Sequence, residues 1–227
     1  MSATKLSTPR ILEPQILPIE STGADLPRLR DELLTPAGLR ARFKQTLDWT
    51  PDARDDRIKA LGGDPRVASV LIALVLRETG LTVLLTQRAD HLSDHAGQIS
   101  FPGGRCDEAD STPERTALRE AEEEVGIPAD RVEILGRLPE YFTSTGYSVT
   151  PVVGWAEPPL EFRPDPREVA EVFEVPLRFL LDSGNHRYES AFYRGRLRKY
   201  WAMPYGERFI WGATAGMLVT FQRILGA

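Results

Sequence analysis

An apolar run of ten residues with one serine, VASVLIALVL at positions 67–76, constrains the fold of this chain more than any other stretch. It is too short to cross a bilayer, which needs about 20 consecutive apolar residues. Its many β-branched residues favour a strand that is buried on both faces. Turn residues at 78–80 and a second apolar run at 81–88 predict that this central strand forms a hairpin.

The remaining segments alternate irregularly between helix and strand patterns. Helices are predicted at 26–34, at 35–47 with Thr35 as the cap, at 52–61 and at 210–225. Strands are predicted at 132–138, at 148–155, at 167–177 with a helix starting at Pro176, and as a pair turning at Gly195 within 192–201. Pro151 predicts that the strand at 148–155 is an edge or bent strand. The pattern indicates an α+β sandwich, with a partly helical extension at 1–65, its first 24 residues an extended arm, and a main domain at 66–227.

Composition excludes several functional classes. The chain has 227 residues, 41% of them hydrophobic, and a net charge of -5, which argues against a general nucleic-acid binder. No apolar segment predicts a membrane span or a signal peptide. The single cysteine, Cys106, precludes an intrachain disulfide and fits a reducing compartment, so we expect a cytoplasmic protein. Whether it forms a homodimer is left open.

The stretch at 103–127, GGRCDEADSTPERTALREAEEEVGI, carries the chemistry. Ser111 or Thr112 can cap a helix there, Pro113 suits its first turn, and Gly126 suits its end. An apolar helical face is predicted from the spacing of Leu118, Ala121 and Val125.

Glu120, Glu123 and Glu124 form a different, acidic face of this helix. Like charges one turn apart destabilise a helix, and the last turn is the negative end of the helix dipole. Arg119 can pair with Glu123 but cannot neutralise all three carboxylates. A hard divalent cation with oxygen ligands would solve this problem. A solvated acidic face is the simpler alternative, since most charge runs are that.

These residues resemble the box of the Nudix hydrolase family: a glycine, an acidic residue, then Arg-Glu, two residues, Glu-Glu, one residue and Gly. The second half matches fully from Arg119 to Ile127. The first half departs, because the usual acidic position falls on Ser111, and Asp110 lies one residue early. Glu108 is a second candidate for that acid, and we expect Glu114 to be a capping-box partner of Ser111.

The segment 84–104, LLTQRADHLSDHAGQISFPGG, is similar to the one that precedes the box in coenzyme A pyrophosphatases. Ser93 stands where that subgroup usually has arginine. The resemblance implies an α/β/α Nudix sandwich with a mixed sheet. It also implies a hydrolase that splits coenzyme A or its derivatives into 3′,5′-ADP and (acyl-)4′-phosphopantetheine. Two alternatives stay open: a hydrolase of another nucleoside diphosphate derivative such as ADP-ribose or NADH, and a non-catalytic nucleotide-sensing module.

The resemblance also implies roles for individual residues. Mg²⁺ or Mn²⁺ would be held by Glu120 and Glu124, with Glu123 as a third ligand or a base and the Gly104 carbonyl as a backbone ligand. Arg119 would orient the carboxylates. Glu171 is the first candidate for a base outside the box, with Glu168 behind it. Substrate-binding residues are expected in the preceding loop: Arg88, His95, Gly97, Gln98, Ser100 and Gly103.

Several residues keep two interpretations. Arg88 can pair with a substrate phosphate or with Asp90. His91 and His95 have a zinc-site spacing, but Leu92 replaces the glutamate that follows the first histidine in zinc proteases, so zinc is not expected. Cys106 is expected to be structural. The basic aromatic segment 194–201 can stack on adenine or hold a 3′-phosphate, or it can be an exposed strand.

Overall fold

The structure is a computed structural model, and it describes residues 19–45, 64–92, 95–193 and 196–227. The strands are β1 (Ile19–Thr22), β2 (Arg66–Arg77), β3 (Gly80–Arg88), β4 (Ile99–Ser100), β5 (Gly103–Arg105), β6 (Val132–Arg137), β7 (Tyr141–Phe142), β8 (Tyr147–Ala156), β9 (Val169–Pro176), β10 (Arg187–Tyr193), β11 (Arg196–Tyr205) and β12 (Arg208–Trp211). The helices are α1 (Pro36–Phe43), α2 (Pro113–Val125), α3 (Leu177–Leu181) and α4 (Gly212–Gly226). This mixed α+β architecture confirms the predicted fold class.

The β2–β3 hairpin is the centre of the larger sheet, as predicted. It pairs from Leu74 with Val83 to Arg77 with Gly80, and β8 runs parallel along the other side of β2. Successive residues of β2 belong to different cores. Leu71 packs in the core beneath α2, whereas Ile72 packs in the larger core beneath α4. Burial on both faces explains why the run at 67–76 does not alternate with polar residues.

Beyond the hairpin, β2 and β3 diverge, and residues 99–105 fill the gap between them as a wedge. β4 pairs with Thr86 and Gln87 of β3, and β5 pairs with residues 68–70 of β2. Between them the Leu71 N–H donates to the Pro102 carbonyl at 2.8 Å. The wedge holds Gly103 and Gly104 against the middle of the sheet, directly below α2.

Pro151 predicted an edge or a bent strand, and the first of these alternatives is wrong. β8 is an interior strand, with β2 on one side and β6 and β7 on the other. The Pro151 carbonyl accepts from the Leu138 N–H at 2.9 Å, in the gap where β6 has ended and β7 has not begun. Because the N–H and C=O of one strand residue point the same way, the missing proline N–H faces this gap and costs the sheet no ladder hydrogen bond.

A second, antiparallel sheet has the order β1–β10–β11–β12. Its inner face and α4 share the large core, to which Trp201, Met203 and Phe221 belong. The predicted strand pair within 192–201 is confirmed as β10 and β11, while its turn at Gly195 lies outside the described residues. The C-terminal helix begins at Gly212 rather than at 210, because Ile210 and Trp211 belong to β12.

The N-terminal extension contributes to the same core. Thr35 caps α1, as predicted, by accepting from the Gly38 N–H at 3.1 Å. Leu26 and Leu39 pack in the large core. The helix predicted at 26–34 is a 3-10 turn at Asp31–Leu34, and the helix predicted at 52–61 lies outside the described residues. The boundary at residue 65 stays a prediction. Within the described ranges, no helix is long and apolar enough to span a membrane.

Candidate active site

Helix α2 positions the acidic residues above the glycines of β5. Its cap is Thr112, whose Oγ1 accepts from the Arg115 N–H at 3.3 Å, and its end is Gly126 in the left-handed conformation at φ 76°. Ala117 rather than Leu118 joins Ala121 and Val125 in the buried face of α2. With that face against the sheet, the acidic face is directed along the sheet surface toward β5.

Glu124 is the most buried carboxylate of the acidic face, with 5% of its surface exposed. Its Oε2 accepts from the Gly103 N–H at 3.1 Å, and its Oε1 lies 4.0 Å from Nη1 of Arg88. Burial raises the pKa of Glu124 to about 7, although Gly103 and Arg88 favour its charged form. The negative charges of Glu120 and Glu168 add to the rise in pKa.

Glu120 lies directly over Gly104. A Cβ placed on Gly104 would be 2.5 Å from both carboxylate oxygens of Glu120, so only glycine lets the two approach this closely. Burial raises the pKa of Glu120, and Glu123 and Glu168 raise it further, against the opposing effect of Arg119. The structure therefore brings Glu120, Glu124 and the two glycines together.

Arg119 and Asp110 account for the irregular first half of the box. The Arg119 Nη2 donates to Asp110 at 2.8 Å and to the Arg105 carbonyl of β5 at 3.1 Å. Its Nη1 lies 3.0 Å from both Glu120 and Glu123. The hydrogen bond from Arg119 lowers the pKa of Asp110 to about 2. Asp110 thus anchors the guanidinium that joins the loop, the glycine strand and the acidic face.

Glu114, Cys106 and Glu108 each had a predicted role near this loop. Glu114 is not a capping-box partner of Ser111, because the cap is Thr112 and Glu114 forms an ion pair with Arg137. Cys106 lies between Ser69 and Thr116, whose Oγ1 donates to its Sγ at 3.3 Å. No described contact gives Glu108 the role of the box acid.

The two candidate bases lie in different surroundings. Glu171 is opposite Gln87 in the β3–β9 ladder and shares a face with Phe173, which packs in the large core rather than beneath α2. There it binds both terminal nitrogens of Arg208 at 2.7 Å, a contact that lowers its pKa. Glu168 is instead the outside carboxylate whose charge acts on Glu120 and Glu124. The pairing of β9 with β3 shifts register between Glu171, opposite Gln87, and Val169, opposite Arg88. This irregularity lies between Glu168 and Glu171, and no sequence pattern reveals it.

The loop that precedes the glycines packs beside this cluster. Arg88 and Gln98 are joined by a backbone hydrogen bond of 2.9 Å, and Gly97 (φ 69°) donates to the Arg88 carbonyl. Ser100 contacts Thr86 at 3.2 Å between their hydroxyls, and His95 contacts the Gln98 side chain at 2.8 Å. Arg88 approaches Glu124, a partner that neither interpretation of this arginine named. Ser93 lies outside the described residues.

The carboxylates suit a divalent cation by the chemistry of their oxygen atoms, although their positions do not form a complete coordination site. Among the described residues, no three His, Cys, Asp or Glu side chains converge closely enough to hold a metal ion. Glu120 and Glu123 both contact Nη1 of Arg119, so this guanidinium lies between their carboxylates. The oxygen-only donor set suits a hard cation such as Mg²⁺ or Mn²⁺. A cation would also favour the charged forms of Glu120 and Glu124, which their burial now disfavours.

Comparison with known proteins identifies the family of the chain. Residues 65–193 match the NUDIX domain family. The uncharacterized Nudix hydrolase NudL of Escherichia coli (strain K12 / DH10B) is 47% identical over 154 residues, which cover 67% of this chain and 79% of NudL. NudL of Shigella boydii serotype 18 shows the same identity over the same length.

Two solved structures illustrate the similarity in three dimensions. RenU, a Nudix hydrolase from M. smegmatis, has 29% identity and a TM-score of 0.44, over 51% of this chain and 73% of RenU. A MutT/nudix family protein from Enterococcus faecalis has 15% identity and a TM-score of 0.48, over 84% of this chain and 74% of that protein. The family match spans more than half of the chain and includes the glycines and the acidic helix. The chain belongs to the Nudix hydrolase family.

Proposed function

We propose that the chain is a divalent-metal-dependent pyrophosphohydrolase that splits coenzyme A or a derivative into 3′,5′-ADP and (acyl-)4′-phosphopantetheine. The observation that carries the hydrolase assignment is the contact of Glu120 and Glu124 with the Gly103–Gly104 backbone. The coenzyme A assignment is supported by the resemblance of segment 84–104. The cytoplasmic location belongs to the same proposal.

Glu120 and Glu124 are the proposed principal ligands of Mg²⁺ or Mn²⁺, with Glu123 and the Gly104 carbonyl as further oxygen donors. Such an ion, when bound, supplies a water of lowered pKa and neutralises charge on the diphosphate. Arg119, fixed by Asp110, holds the Glu120 and Glu123 side chains near the glycine strand. The residues of the chain thus provide the ligands and their orientation.

We assign the base outside the box to Glu168 rather than to Glu171. The negative charge of Glu168 acts on Glu120 and Glu124, whereas Glu171 is held by Arg208 on the other face of the sheet with a lowered pKa. A carboxylate near the reacting water can take its proton. A carboxylate that already accepts two hydrogen bonds from a guanidinium is a poor proton acceptor.

Arg88 is the proposed diphosphate clamp. Its Nε is buried and has no hydrogen-bond partner among the described residues, and its guanidinium lies beside Glu124 at the edge of the site. An unused guanidinium donor next to proposed metal ligands suits a phosphate oxygen, which accepts such bonds in paired geometry. Gly97, Gln98, Ser100 and His95 line the same loop and are proposed to contact the substrate there.

Steady-state hydrolysis of coenzyme A, ADP-ribose, NADH and diadenosine polyphosphates with Mg²⁺ or Mn²⁺ tests the proposal. We expect the highest kcat/KM with coenzyme A or one of its derivatives. If ADP-ribose were turned over as fast, the coenzyme A assignment would be wrong while the hydrolase assignment stood. If no diphosphate were cleaved, the site would belong to a sensing module.

Glu124→Gln is expected to lose most of kcat with little change in melting temperature, because it removes a ligand charge and keeps the shape of the side chain. Loss of a group that acts on the developing charge costs roughly 100- to 1,000-fold in kcat. The matched control is Glu122→Gln, an exposed carboxylate on the same helix, which should keep its activity. Full activity of Glu124→Gln would contradict the ligand assignment.

Comparison of Glu168→Gln with Glu171→Gln decides between the two bases. General-base catalysis contributes roughly 100- to 10,000-fold, so Glu168→Gln should lose activity on that scale. A larger loss in Glu171→Gln than in Glu168→Gln would return the role to Glu171.

A further inference from the structure

We propose that His91 is a positioning residue: it braces the turn at 165–168, which carries Glu168 and is bonded to the end of α2. The inference rests on the proposed function, because Glu168 is the base assigned above. His91 lies in the loop after β3, outside the box.

The turn that carries Glu168 is organised by Asp165. The Asp165 carbonyl accepts from the N–H groups of Glu168 at 3.0 Å and Val169 at 2.8 Å. Its carboxylate accepts from the Arg167 N–H at 2.9 Å and also binds the Arg167 guanidinium. These local bonds fix the shape of the turn, but they do not fix its position relative to the acidic helix.

Three contacts from outside fix that position. On one side, the Asp165 N–H donates to the Glu124 carbonyl at the end of α2, at 3.0 Å. On the other side, the Ala89 N–H donates to the Glu168 carbonyl at 2.8 Å. His91 supplies the third contact, at 3.1 Å from its Nε2 to the Arg167 carbonyl. Since a carbonyl only accepts, the His91 Nε2 carries the proton.

The turn is held from two sides, to α2 through the Asp165 N–H and to the loop after β3 through the Glu168 and Arg167 carbonyls. The backbone bond of Ala89 is available to most residue types, whereas the bond of His91 needs a side-chain donor of this reach. Among the described residues at 89–92, the His91 side chain makes this hydrogen bond to the turn.

The test compares His91→Ala with His91→Gln, whose amide can still donate to the Arg167 carbonyl. One exposed hydrogen bond corresponds to a loss of roughly 3- to 10-fold, so kcat of His91→Ala should fall by that factor with KM nearly unchanged. His91→Gln should recover most of kcat. The control is Arg178→Ala, which removes an exposed pair with Asp31 and should leave kcat unchanged.

Amide hydrogen exchange of the same variants is independent of activity. In His91→Ala, exchange should accelerate at the amides of Glu168 and Val169 and stay unchanged along α2. Unchanged exchange at both amides would overturn the inference even if the wild-type enzyme hydrolysed every diphosphate tested. Faster exchange in a protein that cleaves no diphosphate would uphold the brace and reject the proposed function.

A double-mutant cycle on kcat shows whether His91 acts through Glu168. In the Glu168→Gln background, His91→Ala should cause no further loss, because the group that it positions is already gone. If the two losses multiplied, His91 would act on the substrate independently, and the positioning role would be rejected.

Discussion

Gly103 and Gly104 are neighbours in β5, yet each needs to be glycine for a different reason. A Cβ on Gly104 would meet the end of the flexible Glu120 side chain, which can move aside. A Cβ on Gly103 would meet the backbone of β2 at Ser69 and Val70, which cannot move without opening the sheet. Gly104 therefore serves the site, and Gly103 serves the fold.

We expect Gly104→Ala to lower kcat/KM and Gly103→Ala to lower stability. In Gly104→Ala the displaced Glu120 should cost roughly 10- to 100-fold in activity, the range that small misplacements cause. In Gly103→Ala overpacking should cost about 1–3 kcal/mol of unfolding free energy. Thermal unfolding and steady-state kinetics of both variants check this, and equal melting temperatures would contradict it.

Asp110 shows at the same scale how an irregular motif keeps its geometry. It has 6% of its side chain exposed, accepts from the Asp107 N–H at 3.1 Å and binds Arg119. The loop thus brings an acid that lies one residue early in the sequence to the guanidinium. The spacing alone leaves its role undecided because the path of a loop does not follow from residue counts.

At the scale of elements, the turn between α3 and β10 is secured by a buried histidine. His186 has no exposed surface, and its Nε2 contacts the Leu180 carbonyl of α3 at 2.7 Å. Its ring also lies edge-on to Trp201 of β11, with 6.4 Å between the ring centroids. Burial lowers the pKa of His186 below its ordinary value of 6.5. The neutral ring is thus the form that joins these elements.

This gives a prediction for the pH dependence of stability. The folded pKa lies below the unfolded value, so the contribution of His186 is fully present above pH 6.5 and is lost as the pH falls through the folded pKa. Glu124, with its raised pKa, acts in the opposite sense. The unfolding free energy of wild type should therefore decrease more than that of His186→Gln between pH 7.5 and about 5.5. Parallel pH profiles of the two proteins would contradict this.

Elements with strong local signals were predictable. The β2–β3 hairpin, the Thr35 cap and the α2 helix with its Gly126 end follow from patterns that local sterics decide. The edge position expected for Pro151 was wrong because the proline lies beside the gap between β6 and β7, and other parts of the chain set the position of that gap. The four-stranded second sheet was not predicted as a sheet, since its pairing joins β1 to strands more than 160 residues later.

At the scale of the whole molecule, Arg208 connects the two sheets. It lies on β12 of the second sheet and reaches β9 of the first, where it binds Glu171 at 2.7 Å. Its guanidinium carbon also lies 3.7 Å from the centre of the Phe173 ring. The pair is partly exposed, so its ionic part contributes little, and the contact with the ring adds to it.

Arg208→Ala should lower the unfolding free energy by roughly 1–2 kcal/mol, the sum of a partly exposed ion pair and a cation–π contact. For a protein of this size that is a few degrees in melting temperature. We expect kcat to stay within about twofold, because the contact lies on the face of the sheet opposite α2. Arg208→Lys, which keeps the charge but not the paired geometry, should recover only part of the stability. An unchanged melting temperature in Arg208→Ala would contradict the connecting role.

The sequence by itself determined the family, the acidic helix, its glycines and the central hairpin, because these depend on short-range spacing and on continuous apolar runs. The tertiary structure decided the surroundings of the two candidate bases outside the box. Glu168 lies in the turn before β9 and Glu171 lies within β9, and a register irregularity of β9 lies between them. The tertiary structure also decided that Arg88 lies beside Glu124 and that His91 contacts the Arg167 carbonyl. Contacts between segments far apart in sequence are fixed by packing of the whole chain, and no local pattern records them.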